Sequence, residues 1–366
     1  MMNSLEKFNK EEPIPGIKSY NEIIQLGITK DYIVKRGFDE TKSIKEMLQN
    51  ALDENEDVYG YPFVEVKNEK DGLVIEDKGR GFKPEYLLLG SSNKKCWMRG
   101  YYGEGLKLAA SFFTFSGHPA YIFSNDKVFK FVVVDHAVCV LIGDLTEKFD
   151  GTKALVYGYN NPQIKLDNMI SIYNEELKDR LIDTVYLSSD ECSFEKPARI
   201  FDFPDMLFIR NIFAGNASKV ARRRSFFSYD VWWVRLDVSR TLQSYSMPDV
   251  FKEVARIYEK SEKARKLLAK KLVESGMAKK KEMDGKNYLT FSPIFATFEG
   301  HLFVYKFPKG ILRDIVDEFG AKKERVKLVI GEVSEQMIEE LLNKGVTPFV
   351  VASELAETGE FEVVLK

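Results

Sequence analysis

The chain has 366 residues, enough for two domains, and 44% of them are hydrophobic, enough for a core in each. Its 54 basic and 56 acidic residues nearly cancel, for a net charge of -2, which excludes a basic footprint over the whole molecule and leaves only local patches for nucleic acid. Cys96, Cys139 and Cys192 stand far apart with no C-x-x-C pair, so neither a disulfide framework nor a zinc ribbon is expected, and a reducing, cytoplasmic compartment is.

The opening residues carry no apolar signal region, and the most apolar run, Phe131 to Leu141, is interrupted by Asp135 and His136, so no membrane span is expected. Residues 1 to about 17 are polar, contain Pro13 and Pro15, and read as the start of a loose N-terminal arm over 1–30. Ser19 to Ile28 has helical spacing. Asp39 or Thr41 could cap the next helix, which runs to about Asn55. Along it Glu46, Asn50 and Asp53 stand at i, i+4 and i+7 and line one face, while Ile44, Met47, Leu48, Ala51 and Leu52 supply an apolar stripe. Phe63 to Lys67 and Leu73 to Glu76 alternate as strands around a Lys70-Asp71-Gly72 turn. Asp77 follows the second strand, with Gly79 and Gly81 leaving the backbone bare beside it.

Phe82 to Arg99 is a polar, loop-like piece. Gly100-Tyr-Tyr-Gly103-Glu-Gly105-Leu106-Lys107 then opens a helix whose glycine-rich N-terminus offers N–H groups and a positive dipole end to phosphate. Four strand-like runs follow, at Ala120 to Ser124, Val128 to Val134, Ala137 to Ile142 and Lys153 to Tyr159. Helices against one mostly antiparallel sheet, ending near residue 160, are implied.

In the second half, a helical piece is expected over Asn168 to Ile182, with strands at Ala198 to Asp202, Leu207 to Phe213 and Tyr229 to Leu236. The last of these would turn Trp232 and Trp233 to opposite sides. Arg222, Arg223 and Arg224 lie in a short basic loop, Pro248 to Gly276 reads as one long charged helix, and Lys279, Lys280 and Lys281 sit in the loop after it. The tail reads as a strand at Leu302 to Phe307, a helix at Gly310 to Phe319 and a strand at Val326 to Ile330. A helix at Glu335 to Leu342 and strands at Pro348 to Ala352 and Phe361 to Leu365 complete a second α/β domain over 161–366.

Each candidate motif has an ordinary explanation when taken alone. Glu46, Asn50 and Asp53 could be a solvated helix face, and Asp77-x-Gly79-x-Gly81 an ordinary turn. Lys107 could be solvated. The glycine cluster matches neither the P-loop nor the dinucleotide fingerprint. His118, His136 and His301 are isolated, so metal binding by histidine is disfavoured.

In this order, within about sixty residues, the three clusters resemble the nucleotide site of the GHKL ATPase superfamily of gyrase B subunits, ninety-kilodalton heat-shock chaperones, MutL and histidine kinases. The wording of the third cluster is closer to Microrchidia-like and phage-type members. The resemblance covers residues 35 to 160. It implies an α+β fold, a two-layer α/β sandwich of Bergerat type over 31–160, followed by a second, transducer-like α/β domain. It also implies ATP and Mg2+ as cofactors, with Glu46 as general base and Asn50 as magnesium ligand. Asp77 would read adenine, assisted by the Thr152 hydroxyl, and Gly103, Gly105 and Leu106 would bind phosphate through their backbone. Asp53, Gly79, Gly81 and Gly100 are expected around the nucleotide, and Lys94 or Lys95 at its phosphates. Arg235 and Arg240 are candidates for a basic residue supplied by the second domain. The function implied is nucleotide-driven closure with ATP hydrolysis, with an ATP-dependent homodimer and a DNA or protein client as candidate partners. The alternatives are a nucleotide-gated DNA- or protein-binding module with little turnover, and a protein kinase.

Overall fold

A computed structural model describes residues 2–88, 94–100, 103–160, 169–220, 224–234, 246–283, 286–291, 297–305, 308, 310–319, 327–330 and 363–365. The chain divides into two compact units, Met1–Met169 and Ile170–Lys366. The fold class is α+β, as expected.

The first unit begins with helix α1 (Met2–Lys10) and strand β1 (Ile17–Thr29), followed by helices α2 (Lys30–Lys35) and α3 (Glu40–Tyr59). Next come the hairpin β2 (Glu65–Glu69) and β3 (Gly72–Asp77), a short 3-10 turn at Pro84–Leu87, and helix α4 (Gly105–Phe115). Two long strands, β4 (Ala120–Val134) and β5 (Ala137–Tyr157), complete it. All pairings are antiparallel and centre on β5. Strand β4 runs beside β5 over its whole length, while β1 takes the first half of its other side and β3 the second half, with β2 outside β3. Helices α3 and α4 pack together and against β3 and β4. Leu5 and Phe8 of α1 pack with Val74, Tyr121 and Val128. Because side chains alternate along a strand, that face of the sheet is opposite to the one Leu73 and Ile75 occupy. Both faces are therefore covered, and every residue of β3 is buried.

Several expectations are corrected. The segment Ser19 to Ile28 is strand, not helix. Three bulges along β1, between Ile17 and Ser19, Tyr20 and Glu22, and Gln25 and Ile28, insert extra residues and stretch its apolar spacing toward a helical period. The opening arm holds a helix, tied down where Glu12 accepts hydrogen bonds from Tyr20 Oη (2.6 Å) and Lys130 Nζ (2.7 Å). The four strand-like runs after α4 merge into two strands. Helix α3 is capped by Asp39, whose side chain accepts from the Lys42 N–H at 2.7 Å, and ends at Gly60 in a left-handed conformation, past the expected Asn55.

In the second unit, strands β6 (Leu181–Ser189), β7 (Cys192–Phe201), β8 (Met206–Ile209), β9 (Ile212–Asn216) and β10 (Ser228–Val231) form a sheet in the order β6-β7-β10-β8-β9. A further sheet joins β11 (Ala278–Met283), β12 (Lys286–Phe291), β13 (Lys327–Ile330) and β14 (Val363–Leu365) in sequence order. The expected helix over Asn168 to Ile182 is reduced to a 3-10 turn at Ser171–Tyr173 and a short helix at Glu175–Asp179, after which the chain is already strand. The expected strand Leu207 to Phe213 is a hairpin, turning at Arg210 and Asn211, both at positive φ. The long charged helix breaks into Met247–Lys260 and Glu262–Glu274, because Ser261 leaves helical geometry and its hydroxyl caps the second helix at the Ala264 N–H, 3.1 Å away. Lys279, Lys280 and Lys281 lie in β11, not in a loop. Phe298–Tyr305 is helical where a strand was expected, its first turn held by the Thr297 hydroxyl on the Gly300 N–H at 3.0 Å. Trp232 and Trp233 lie just past β10, where their N–H groups share the two oxygens of Glu253 at 2.8 and 2.7 Å. The expected helix at 335–342 and strand at 348–352 lie outside the described residues, as do Arg222, Arg223, Arg235 and Arg240.

Candidate functional site

Helix α3 is amphipathic in an unusual way. Besides its apolar stripe it buries Ser43, Glu46, Gln49, Asp53, Asn55 and Glu56. Polar groups inside a protein need partners or a ligand, since each costs desolvation energy, and this face meets the other two sequence clusters.

The first meeting is at Asp77. Register pairs it with Thr152 across β3 and β5, and the Thr152 hydroxyl hydrogen-bonds its carboxylate. The Gly79 N–H donates to Asp77 Oδ1 at 2.8 Å. Asp77 is 6% exposed, and burial pushes its carboxyl from the ordinary 3.8 up to about 7, with the Gly79 N–H opposing the rise and the negative charge of Glu54 adding to it. The glycines around it are required by packing. A Cβ on Gly151, at φ +91°, would lie 2.1 Å from the Asp77 carbonyl oxygen. On Gly79 it would lie 2.7 Å from Glu54 Cβ, so this glycine lets the turn lie flat on α3. At Gly81, φ +87°, it would strike Ser124 Oγ at 2.5 Å, and that hydroxyl instead accepts from the Phe82 N–H at 2.7 Å. Asn55 joins the same turn to α3 by accepting from the Lys78 N–H at 2.8 Å.

The second meeting is at Asp53, which is fully buried. Its Oδ1 accepts from the Arg99 N–H (2.8 Å) and Arg99 Nη1 (3.2 Å), and its Oδ2 from the Gly100 N–H (2.8 Å) and Lys94 Nζ (3.3 Å). Burial would raise its pKa; the charges of Lys94 and Arg99 and the two backbone donors outweigh that and hold the carboxyl below its usual range. Asp53 therefore holds the segment leading into the glycine cluster. Arg99 also reaches Glu56 at 2.7 Å. Lys95 takes a different place: it pairs with Asp57 and lies over the Trp97 ring. Lys94 lies near both Asp53 and Asp77, so its positive charge favours ionisation of each.

Asn50 lies one turn before Asp53. Its Nδ2 donates to the Glu46 carbonyl at 2.7 Å, and the side chain is half-buried. Glu46 is 2% exposed. Gly103, at φ +66°, Gly105 and Leu106 stand at the head of α4, where the side chain of the cap residue, Glu104, makes no capping bond among the described residues. Tyr101 and Tyr102 lie outside the described residues. Lys107, for which the sequence left a solvated position open, is buried; its ammonium donates to the Tyr86 and Leu88 carbonyls at 2.8 and 2.6 Å.

One neighbourhood thus joins Asp53, Asp77, Gly79, Lys94, Gly100 and Thr152, with Asn50 about one turn and Glu46 about two turns earlier on α3. Sequence reasoning missed Glu54, Glu56, Asp57, Arg80 and Arg99, which form the ion pairs around it, among them Arg80–Asp57 at 2.7 Å. The signal available was the acidic run Asp53-Glu54-Asn-Glu56-Asp57 set against bases at 80, 94, 95 and 99. Among the described residues no group of three or more His, Cys, Asp or Glu could hold a metal ion, and no helix is long and apolar enough to cross a membrane.

No family model and no curated sequence matches the chain. Among solved structures, a topoisomerase IV ATP-binding domain of Francisella tularensis, in complex with a small-molecule inhibitor, is similar at 13% identity and a TM-score of 0.30, over 54% of this chain and 70% of that one.

Proposed function

We propose that the first unit binds ATP with Mg2+ and hydrolyses it slowly. The observation that carries this reading is the Asp77–Thr152 pair: a buried carboxyl with a hydroxyl and an N–H fixed on it, on a turn packed against the helix that carries Glu46 and Asn50. An ionised Asp77 accepts from the exocyclic amine of adenine, which guanine lacks at that position. The donor set suits magnesium, which prefers oxygen, keeps several waters and takes one or two protein ligands, so it needs no carboxylate cage. The amide oxygen of Asn50, whose Nδ2 is already used on the Glu46 carbonyl, would be the protein ligand. When bound, the ion neutralises charge between phosphate oxygens.

Backbone N–H groups of Gly103, Gly105 and Leu106 hold phosphate at the positive end of α4. Both lysines are paired, Lys94 with Asp53 and Lys95 with Asp57; Lys94, whose charge also acts on Asp77, is the candidate for phosphate. Asp53 and Arg99 hold the approach to the glycine cluster in register with α3. Glu46 takes the proton of the attacking water. Substituting Glu46→Ala should lower ATP turnover at least about a hundredfold while nucleotide affinity, measured by calorimetry, stays within a factor of a few. Unchanged turnover would remove Glu46 from this role.

The near-complete burial of Glu46 favours a second reading, a binding module gated by retained ATP, with DNA or a protein as its client and a homodimer as its closed form. Release of ATP faster than its hydrolysis, with no change in mass on size exclusion when a non-hydrolysable analogue is added, would argue against it.

A further inference from the structure

Lys107 is the only charged residue in α4 and is 1% exposed. Its ammonium bonds no carboxylate among the described residues. Its acceptors are the carbonyls of Tyr86 and Leu88, at 2.8 and 2.6 Å, at the end of the Pro84–Leu87 turn. Burial lowers its pKa from the ordinary 10.5 to about 8, opposed by the charge of Glu104, which itself pairs with Arg36, just past α2, at 3.3 Å. The site is an expensive one for a cation, since carbonyl dipoles repay only part of the lost hydration and the N-terminal turn of a helix repels positive charge. An apolar side chain would fill the same space at lower cost, so the ammonium needs another reason to be there.

The geometry supplies one. On its other side the same segment is fixed by rings: Tyr86 lies edge-on to Phe82 at 5.8 Å, and Phe82 edge-on to Phe129 of β4 at 5.0 Å. Leu87 is buried, whereas Leu88 is exposed. Aromatic packing thus joins residues 82–87 to the sheet, and Lys107 joins their end to the first turn of the glycine-headed helix. We propose that Lys107 is a positioning residue that makes residues 86–88 and the head of α4 move as one body, so that retention of the nucleotide depends on its ammonium. This rests on the nucleotide site proposed above.

The test uses the full chain as parent, Lys107→Met, which keeps the apolar stem, and Lys107→Arg, which keeps the charge. Hydrogen exchange at residues 86–88 is measured without nucleotide, and affinity for a non-hydrolysable ATP analogue with Mg2+ is measured by titration. Lys107→Met should speed exchange at 86–88 by about tenfold or more without speeding it in β4 and β5, and should weaken the analogue by a similar factor; Lys107→Arg should recover part of both. Unchanged exchange at 86–88 overturns the proposal, and so does faster exchange with unchanged affinity. If the parent binds no analogue, the coupling falls with the proposed site, while the exchange arm still decides whether the contact holds the segment. Should Lys107→Met not fold, Lys107→Arg decides: parent-like exchange and affinity support the proposal, and loosening at 86–88 with unchanged affinity overturns it.

Discussion

A carboxyl accepts a hydrogen bond from an adenine amine more strongly when it is ionised, and burial opposes ionisation. Asp77 meets both conditions at once, 6% exposed and at about 7 in the folded chain. Its folded pKa lies above its ordinary value, so its contribution to stability is full below about 4 and is lost as pH rises through about 7. The first unit should therefore melt a few degrees lower at pH 8 than at pH 6, and Asp77→Asn should flatten that difference. Nucleotide affinity should run the other way, strengthening from pH 6 to pH 8 because the charged form accepts the stronger bond and no longer carries a competing proton. Calorimetric titrations at pH 6, 7 and 8 that give one constant affinity would remove Asp77 from the adenine contact. The D-x-G-x-G wording was legible in the chain, but the pKa was not, because Thr152 and Glu54, which share its environment, are distant in sequence.

At the scale of elements, the pairing of β3 with β5 brings the Asp77 turn and Thr152 together, and it tolerates no side chain at Gly151. Gly151→Ala would place a Cβ 2.1 Å from the Asp77 carbonyl oxygen at φ +91°. It should destabilise the first unit by about 2–4 kcal/mol, read as an earlier midpoint in urea, and weaken nucleotide binding in parallel. Full stability in that variant would mean that β5 does not press on the turn. Helix α3 was legible almost whole, since Asp39 caps it and its apolar stripe has the right period. Strand β1 was not: its bulges break the two-residue alternation by which strands are recognised. The long charged helix misled for a similar reason, because one serine at 261 divides a pattern whose apolar period continues on both sides.

At the scale of the molecule, the residues assigned to the nucleotide, and the ion pairs described around them, lie within Met1–Met169 among the described residues. A fragment of residues 1–169 should thus fold alone and bind the ATP analogue within about threefold of the full chain's affinity, a difference well under 1 kcal/mol. A fragment that folds but does not bind would show that the site needs residues from the second unit. That unit has a core of its own, built from β6 to β10 and the helices Met247–Lys260 and Glu262–Glu274.

Local chemistry determined what the chain could declare by itself: a helix cap at Asp39 or Thr41, the hairpin between β2 and β3, the glycine start of α4, and the three clusters in their order. Those depend on neighbours a few residues apart, so they are written in spacing. Only the tertiary structure decided that Asp53 holds the Arg99–Gly100 backbone, that Lys94 and Lys95 have different partners, and that Lys107 is buried on two carbonyls. Each of those outcomes joins groups about twenty to fifty residues apart, and charge partners at such separation are chosen by packing, which no local pattern records.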